Sequence, residues 1–218
     1  MGKEKMSIAD MREEYSGQPL DISHISDHPI KQFETWFQEA QNSEIIEPNV
    51  MTFATSAIDG KPSARILLLK GIQDDGFVFF TNYNSRKGRE LALNPNAAIV
   101  FCWLELSRQV RIEGIVKKVS EKESESYFQS RPRGSQVGAW ASPQSRVVID
   151  RDVLEKKVDE IEKEFANEEK LPLPRFWGGY KLMPSIIEFW QGRTNRLHDR
   201  IRYSRQSDKK WKIERLAP

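Results

Sequence analysis

Near the end of the chain, Arg196, His198 and Arg200 alternate with Leu197 and Asp199. In an extended segment alternate side chains share a face, so the two guanidinium groups and the imidazole would point one way and Leu197 and Ile201 the other. Cations packed that closely repel one another unless an anion lies among them. Trp190 precedes them, beyond Gly192, and offers a flat apolar wall. The pattern fits a flat, aromatic, anionic ligand. A solvated strand is the commoner origin of such a run; here Phe189, Trp190 and Leu197 argue for a half-buried one.

Other stretches offer anion-binding groups. In Thr81-Asn82-Tyr83-Asn84-Ser85-Arg86-Lys87-Gly88 a strand end, a Ser cap, a helix start and two cations coincide, and free N–H groups with the helix dipole favour a phosphate there. An exposed basic helix start explains the stretch equally well. Tyr127, Arg131 and Ser135 recur at four-residue spacing around a helix end. Their hydroxyls and guanidinium form the donor set a phosphate monoester needs. Arg65 and Lys70 flank the apolar run Ile66-Leu67-Leu68-Leu69 and fall on opposite faces of a regular strand. Gln109, Gln144 and Ser145 are further hydrogen-bonding candidates. His24, His28 and His198 have no metal-ligand spacing with Cys102, and the chain has no Gly-rich nucleotide loop and no Ser nucleophile elbow. Phosphate sites and aromatic walls without a nucleophile suit a bound organic cofactor that carries the chemistry.

The elements that must position these residues read as a β-rich protein. Residues 1–28 are a polar, mobile arm, with a short helix expected from Ser7 to Tyr15; residues 29–218 form one domain. An amphipathic helix is expected over 29–43, from the spacing of Ile30, Phe33, Phe37 and Ala40. Strands follow over 51–58, 63–72 and 77–81, separated by the turns Asp59-Gly60-Lys61-Pro62 and Gln73-Asp74-Asp75-Gly76; such short connections mean antiparallel hairpins. A helix over 86–93 capped by Ser85, strands over 97–104 and 109–119, a capping box at Ser120–Glu123, a loop at 131–135 and a long helix capped by Asp150 come next. Strands over 179–190, 196–204 and 211–216 end the chain. The architecture expected is α+β, an antiparallel, closed or nearly closed β-barrel with peripheral helices.

Composition narrows the function classes. The 218 residues carry 34 basic and 32 acidic side chains, a net charge of +2, which argues against a nucleic-acid-binding barrel. One cysteine rules out an intrachain disulfide and fits a reducing cytoplasm. Its apolar neighbours predict that Cys102 is a core residue. The run 97–104 around it is too short to span a bilayer.

The stretch Glu188-Phe189-Trp190-Gln191 followed by Arg196-Leu197-His198-Asp199-Arg200 resembles the pyridoxine/pyridoxamine 5′-phosphate oxidase family, as do Arg65–Lys70, Ser85-Arg86-Lys87, Arg131-Pro132-Arg133, Ser135-Gln136 and Gly138-Ala139-Trp140. The resemblance runs from about Arg12 to the terminal Pro218. It implies a split β-barrel, a homodimer with FMN at the subunit interface, and oxidation of the two B6 phosphates by dioxygen to pyridoxal 5′-phosphate with release of hydrogen peroxide. It assigns Arg65, Ile66, Leu67, Leu68, Leu69, Lys70, Phe80, Thr81, Arg86, Lys87, Gln109, Gln144, Ser145, Trp190 and Arg200 to FMN. Lys70, Tyr127, Arg131 and Ser135 would hold the substrate phosphate, Arg12 and Tyr15 would belong to a segment closing over the substrate, and Arg196 and His198 would lie against its ring, a neutral His198 accepting its proton. A flavin reductase on the same barrel and a non-catalytic flavin or pyridoxal phosphate carrier are the rival readings.

Overall fold

A computed structural model describes residues 7–11, 14–15 and 17–218. Two compact units emerge from its contacts. The terminal unit comprises Met1–Pro48, Phe101–Arg111 and Ile186–Pro218, and the central unit Asn49–Val100 and Ile112–Ser185.

The elements are α1 (Pro29–Gln41), β1 (Val50–Ser56), β2 (Pro62–Leu68), β3 (Gly71–Gln73), β4 (Gly76–Asn82), α2 (Arg86–Leu93), β5 (Asn96–Trp103), β6 (Arg108–Lys118), α3 (Glu121–Ser130), α4 (Arg133–Ala141), α5 (Asp152–Glu164), β7 (Trp177–Gln191), β8 (Asp199–Arg205) and β9 (Trp211–Leu216). Among the described residues the strands follow the order β2-β1-β5-β6-β7-β4-β3, with β8 on β7 and β9 on β8. The β1/β2, β3/β4, β4/β7, β7/β8 and β8/β9 pairs are antiparallel. β2 is an edge strand, so half of its backbone groups have no strand partner. Pro184 lies inside β7, where its missing N–H would break a ladder. It falls between the residues paired with β4, which end at Leu182, and those paired with β8, which begin at Ile186.

Period-two patterning builds the central unit. Met51, Phe53 and Thr55 of β1 are buried and their neighbours less so. Phe53 meets Phe79, and Phe79 meets Tyr180, at ring-centroid distances of 4.6 and 5.7 Å. A second cluster of Phe128, Val137, Ile161, Phe165, Leu171 and Trp177 joins α3, α4 and α5 to the start of β7. In the terminal unit, Phe33 and Trp36 of α1 pack on Phe101, Trp103 and Phe189, and Tyr203 of β8 joins them through Phe189.

Several expectations need correction. The strand predicted from Arg196 begins only at Asp199. A 3-10 turn covers Thr194–Arg196, and Asn195 and Arg196 both have positive φ, 54° and 59°, so Arg196, His198 and Arg200 do not alternate on one strand. Residues 131–135 are not simply a loop, because α4 starts at Arg133. The strand predicted over 63–72 divides into β2 and β3. Cys102 is exposed rather than core; Phe101 and Trp103 on either side point inward, and alternation turns the thiol outward. The helix expected from Ser7 to Tyr15 is a single 3-10 turn at Ile8–Asp10, and Arg12 lies outside the described residues. Ser85 caps α2 and Ser120 closes a capping box with Glu123, both as expected.

Candidate active site

The central unit holds a cleft of about 510 Å³ lined by Ile66, Leu67, Leu68, Lys70, Phe80, Thr81, Tyr127, Arg131, Pro132, Ser135, Gln144 and Trp177. One side is aromatic. The rings of Phe80, Tyr127 and Trp177 are near parallel, with interplanar angles of 4–16°. Arg131 follows α3 and precedes Pro132, which excludes a helical backbone at the residue before it; its ψ of 147° is extended. Gln136 fixes the same residue by donating to the Arg131 carbonyl at 2.9 Å while accepting from the Leu171 N–H at 2.9 Å. The guanidinium lies 4.8 Å from the centre of the Trp177 ring. Its Nη1 is buried without a hydrogen-bond partner among the described residues, and burial lowers its pKa. A buried guanidinium N–H left unpaired is costly, and Tyr127, Ser135 and Lys70 share its cleft. These donors suit an anion.

Beside this cleft lies a cationic cluster. α2 starts here because Ser85 Oγ accepts from the Gly88 N–H at 3.2 Å. Gly88 is required by close approach, since a Cβ there would stand 2.1 Å from the Tyr83 carbonyl oxygen. Lys87, on the first turn, is buried, and its Nζ donates to Thr81 Oγ1 at 3.1 Å and Gln144 Oε1 at 2.9 Å. Burial, reinforced by nearby Arg65, pushes its pKa down to about 8. Arg65 is not among the residues that line the cleft with Lys70; it donates to Thr55 Oγ1 at 2.6 Å and Ser63 Oγ at 2.5 Å. Glu90 Oε2 accepts from the same two hydroxyls, at 2.5 Å from Thr55 and 2.7 Å from Ser63, and Oε1 accepts from Arg86 Nε at 2.8 Å.

The terminal unit holds a second cleft, of about 590 Å³, lined by Met11, Glu14, Tyr15, Arg193, Asn195, Arg196 and His198. Tyr15, Trp190 and His198 form a triangle of rings with centroids 4.6–5.7 Å apart. Tyr15 packs on the bare backbone of Gly192, where a Cβ would stand 2.7 Å from the Tyr15 ring. The Arg193 backbone N–H donates to His198 Nδ1 at 3.1 Å. A backbone N–H can only donate, so Nδ1 is the acceptor and the neutral ring carries its hydrogen on Nε2. In that tautomer the imidazole presents a donor at Nε2. The preceding segment is tied down: Asp199 Oδ2 accepts from the Leu20 N–H at 3.1 Å, and Arg215 donates to the Leu20 carbonyl at 3.0 Å and to Asp199 Oδ1 at 2.6 Å.

The structure thus gathers Ile66, Leu67, Leu68, Lys70, Phe80, Thr81, Tyr127, Arg131, Ser135 and Gln144 in one cleft and Tyr15, Arg196 and His198 in another. Leu69 is buried, and its N–H donates to Asn49. Ser145 is exposed with φ 68°, Gln109 is half-buried on β6, and Arg200 is committed to Glu188 by bonds of 2.8 and 3.2 Å. Sequence reasoning missed Glu90 and Trp177. The i,i+4 spacing of Arg86 and Glu90 was a signal for the first; Trp177 had none.

The family model described as pyridoxamine 5′-phosphate oxidase matches residues 37–165, and that of the pyridoxine 5′-phosphate oxidase C-terminal dimerisation region matches 177–218. Pyridoxine/pyridoxamine 5′-phosphate oxidase of Salinibacter ruber is 56% identical over 97% of this chain and 99% of its own. That of Burkholderia mallei is 56% identical over the same shares. Among solved structures, PhzG from Burkholderia lata 383, in complex with tetrahydrophenazine-1-carboxylic acid, superposes with a TM-score of 0.86 at 32% identity over 93% of this chain and all of its own. A pyridoxamine 5′-phosphate oxidase-related, FMN-binding protein from Nostoc punctiforme shares the fold at a TM-score of 0.68 and 18% identity, over 89% of this chain and all of its own.

Proposed function

The chain belongs to the pyridoxamine 5′-phosphate oxidase family and has its split-barrel fold, and we propose that it oxidises pyridoxine 5′-phosphate and pyridoxamine 5′-phosphate to pyridoxal 5′-phosphate with FMN as cofactor and dioxygen as final acceptor. FMN, when bound, supplies the hydride acceptor, and dioxygen reoxidises it with release of hydrogen peroxide. The residues present fit that cofactor. Lys87 is a buried cation whose hydrogen bonds go to neutral oxygens, so it gains from a phosphate; Arg65 and Arg86 stand with it. The free edge of β2 at Ile66–Leu68 offers backbone groups to a heterocycle, and Gln109, Gln144, Ser145, Trp190 and Arg200 are the further cofactor contacts.

Substrate binding rests on Lys70, Tyr127, Arg131 and Ser135, which take the phosphate. The observation that carries this reading is the buried, unpaired Nη1 of Arg131 in a cleft with those three donors. Arg196 and His198 donate to the substrate's ring substituents and orient it, while Tyr15 and Trp190 exclude water. The match of 177–218 to a dimerisation region supports a homodimer; we place FMN at its interface, with each site drawing residues from both subunits, and the protein in the cytoplasm.

The test is the visible spectrum of the protein mixed with FMN, followed by peroxide release with each B6 phosphate. A flavin spectrum and peroxide from both substrates are expected. No flavin uptake, uptake without peroxide, or peroxide with tetrahydrophenazine-1-carboxylic acid alone would overturn the assignment.

A further inference from the structure

The buried carboxylate of Glu90 stands among the cations of the cofactor site yet lines neither cleft. Its Oε1 takes Arg86 Nε at 2.8 Å, and its Oε2 lies 3.5 Å from Arg65 Nη2. Thr55 and Ser63 bridge it to Arg65, each contacting both the carboxylate and the guanidinium. Burial opposes its ionisation, but hydrogen bonds from Thr55, Ser63 and Arg86 outweigh that and hold the carboxyl at about 2. Among the described residues Arg65 and Arg86 share this carboxylate, while Lys87 has only neutral oxygens as hydrogen-bond partners, and the excess of positive charge suits a phosphate monoester near neutral pH. Without Glu90 the two guanidinium groups would repel each other and lose their common anchor.

We propose that Glu90 is a positioning residue that holds Arg65 and Arg86 in the arrangement that recognises the phosphate group of FMN, and so sets the preference for FMN over riboflavin, which lacks that phosphate. The inference rests on the proposed FMN site and deepens it. Phosphate recognition is the quantity Glu90 controls; Ile66–Leu68 and the rings of Phe80, Tyr127 and Trp177 make none of the hydrogen bonds to its carboxylate.

The experiment titrates the flavin-free protein with FMN and with riboflavin, following quenching of flavin fluorescence. In Glu90→Gln the FMN Kd should rise about tenfold or more while the riboflavin Kd changes less than about twofold, and Glu90→Asp should recover part of the loss. An unchanged FMN Kd, or an equal loss for both flavins, would overturn the proposal, the latter by showing a purely structural role. Should Glu90→Gln not fold, Thr55→Val removes one bridging hydroxyl and should shift the same ratio in the same direction by about threefold; an unchanged ratio would overturn the proposal equally. A wild-type protein that binds neither flavin would overturn the FMN assignment itself, whereas FMN binding with a normal ratio in the variants would sink only the role of Glu90.

Discussion

If Arg131 takes the substrate phosphate and Arg196 its ring, as proposed, kinetics should separate them. Arg131→Ala removes a buried charge–phosphate contact, so KM for the B6 phosphates should rise by a factor equivalent to about 2–5 kcal/mol, with a smaller change in kcat. Steady-state kinetics with an unchanged KM would move the substrate phosphate elsewhere. Arg196→Leu should lower kcat by orders of magnitude while the purified protein stays yellow, because the exposed Arg196 lines the cleft of Tyr15 and His198 and has no part in the cationic cluster. Normal turnover would remove Arg196 from the reaction. Lys87 gives a pH signature. Its folded pKa is lowered to about 8, so above that pH the flavin-free protein loses this cation while the unfolded chain keeps it up to the ordinary lysine value. Stability of the flavin-free protein therefore gains from this group as pH rises from about 8 towards 10.5. FMN affinity goes the other way: its Kd should climb above pH 8 with a slope of up to about one log unit per pH unit. That slope should vanish in Lys87→Gln, and titrations at a series of pH values would show it.

The elements matter through where they begin and end. α2 brings Lys87 to Thr81 because Ser85 caps it and Gly88 lets it press against Tyr83. Gly88→Ala puts a methyl group 2.1 Å from a backbone oxygen, and neither partner is a flexible side-chain end. The variant should lose about 1–3 kcal/mol of stability by overpacking, and thermal melting with FMN titration should show both a lower Tm and weaker FMN binding. An unchanged Tm would mean that α2 can shift freely, and the cap would no longer explain the cationic cluster. The Arg131–Pro132 junction is the other such boundary. Proline ends the helical backbone of α3, and α4 restarts one residue later, so Arg131 and Ser135 flank one turn of chain.

For the whole molecule the question is how many chains make one site. The cleft of Lys70 and Arg131 and the cleft of Arg196 and His198 each hold part of the expected residue set. If each site draws on two subunits, Arg131→Ala and Arg196→Leu protein, assayed at substrate concentrations far below the raised KM of Arg131→Ala so that each is nearly inactive alone, should recover activity when unfolded, mixed and refolded together. One of the two sites in every hybrid dimer would then be free of both substitutions, giving about one quarter of wild-type activity at equal mixing. Assays of the mixture that stay at the level of the separate variants would place the whole site in one subunit. Among the described residues no helix is long and apolar enough to cross a membrane.

Local patterning was enough to read the hairpins and the Ser85 and Ser120 caps, because turns, caps and strand alternation are decided by neighbours a few residues apart. Several things were not legible that way. Glu90 joins Arg65 across 25 residues of sequence through Thr55 and Ser63, and Trp177 reaches Arg131 from the start of a distant strand. Asn195 and Arg196 take up positive φ, which Asn tolerates and Arg disfavours, and so end the alternation that a strand from Arg196 would have imposed. His198 receives its hydrogen bond from the backbone of Arg193 rather than from a side chain. In each case the deciding contact is long-range or depends on backbone geometry, and composition and spacing encode neither; packing alone chose which cations were paired with a carboxylate and which way the imidazole presents its hydrogen.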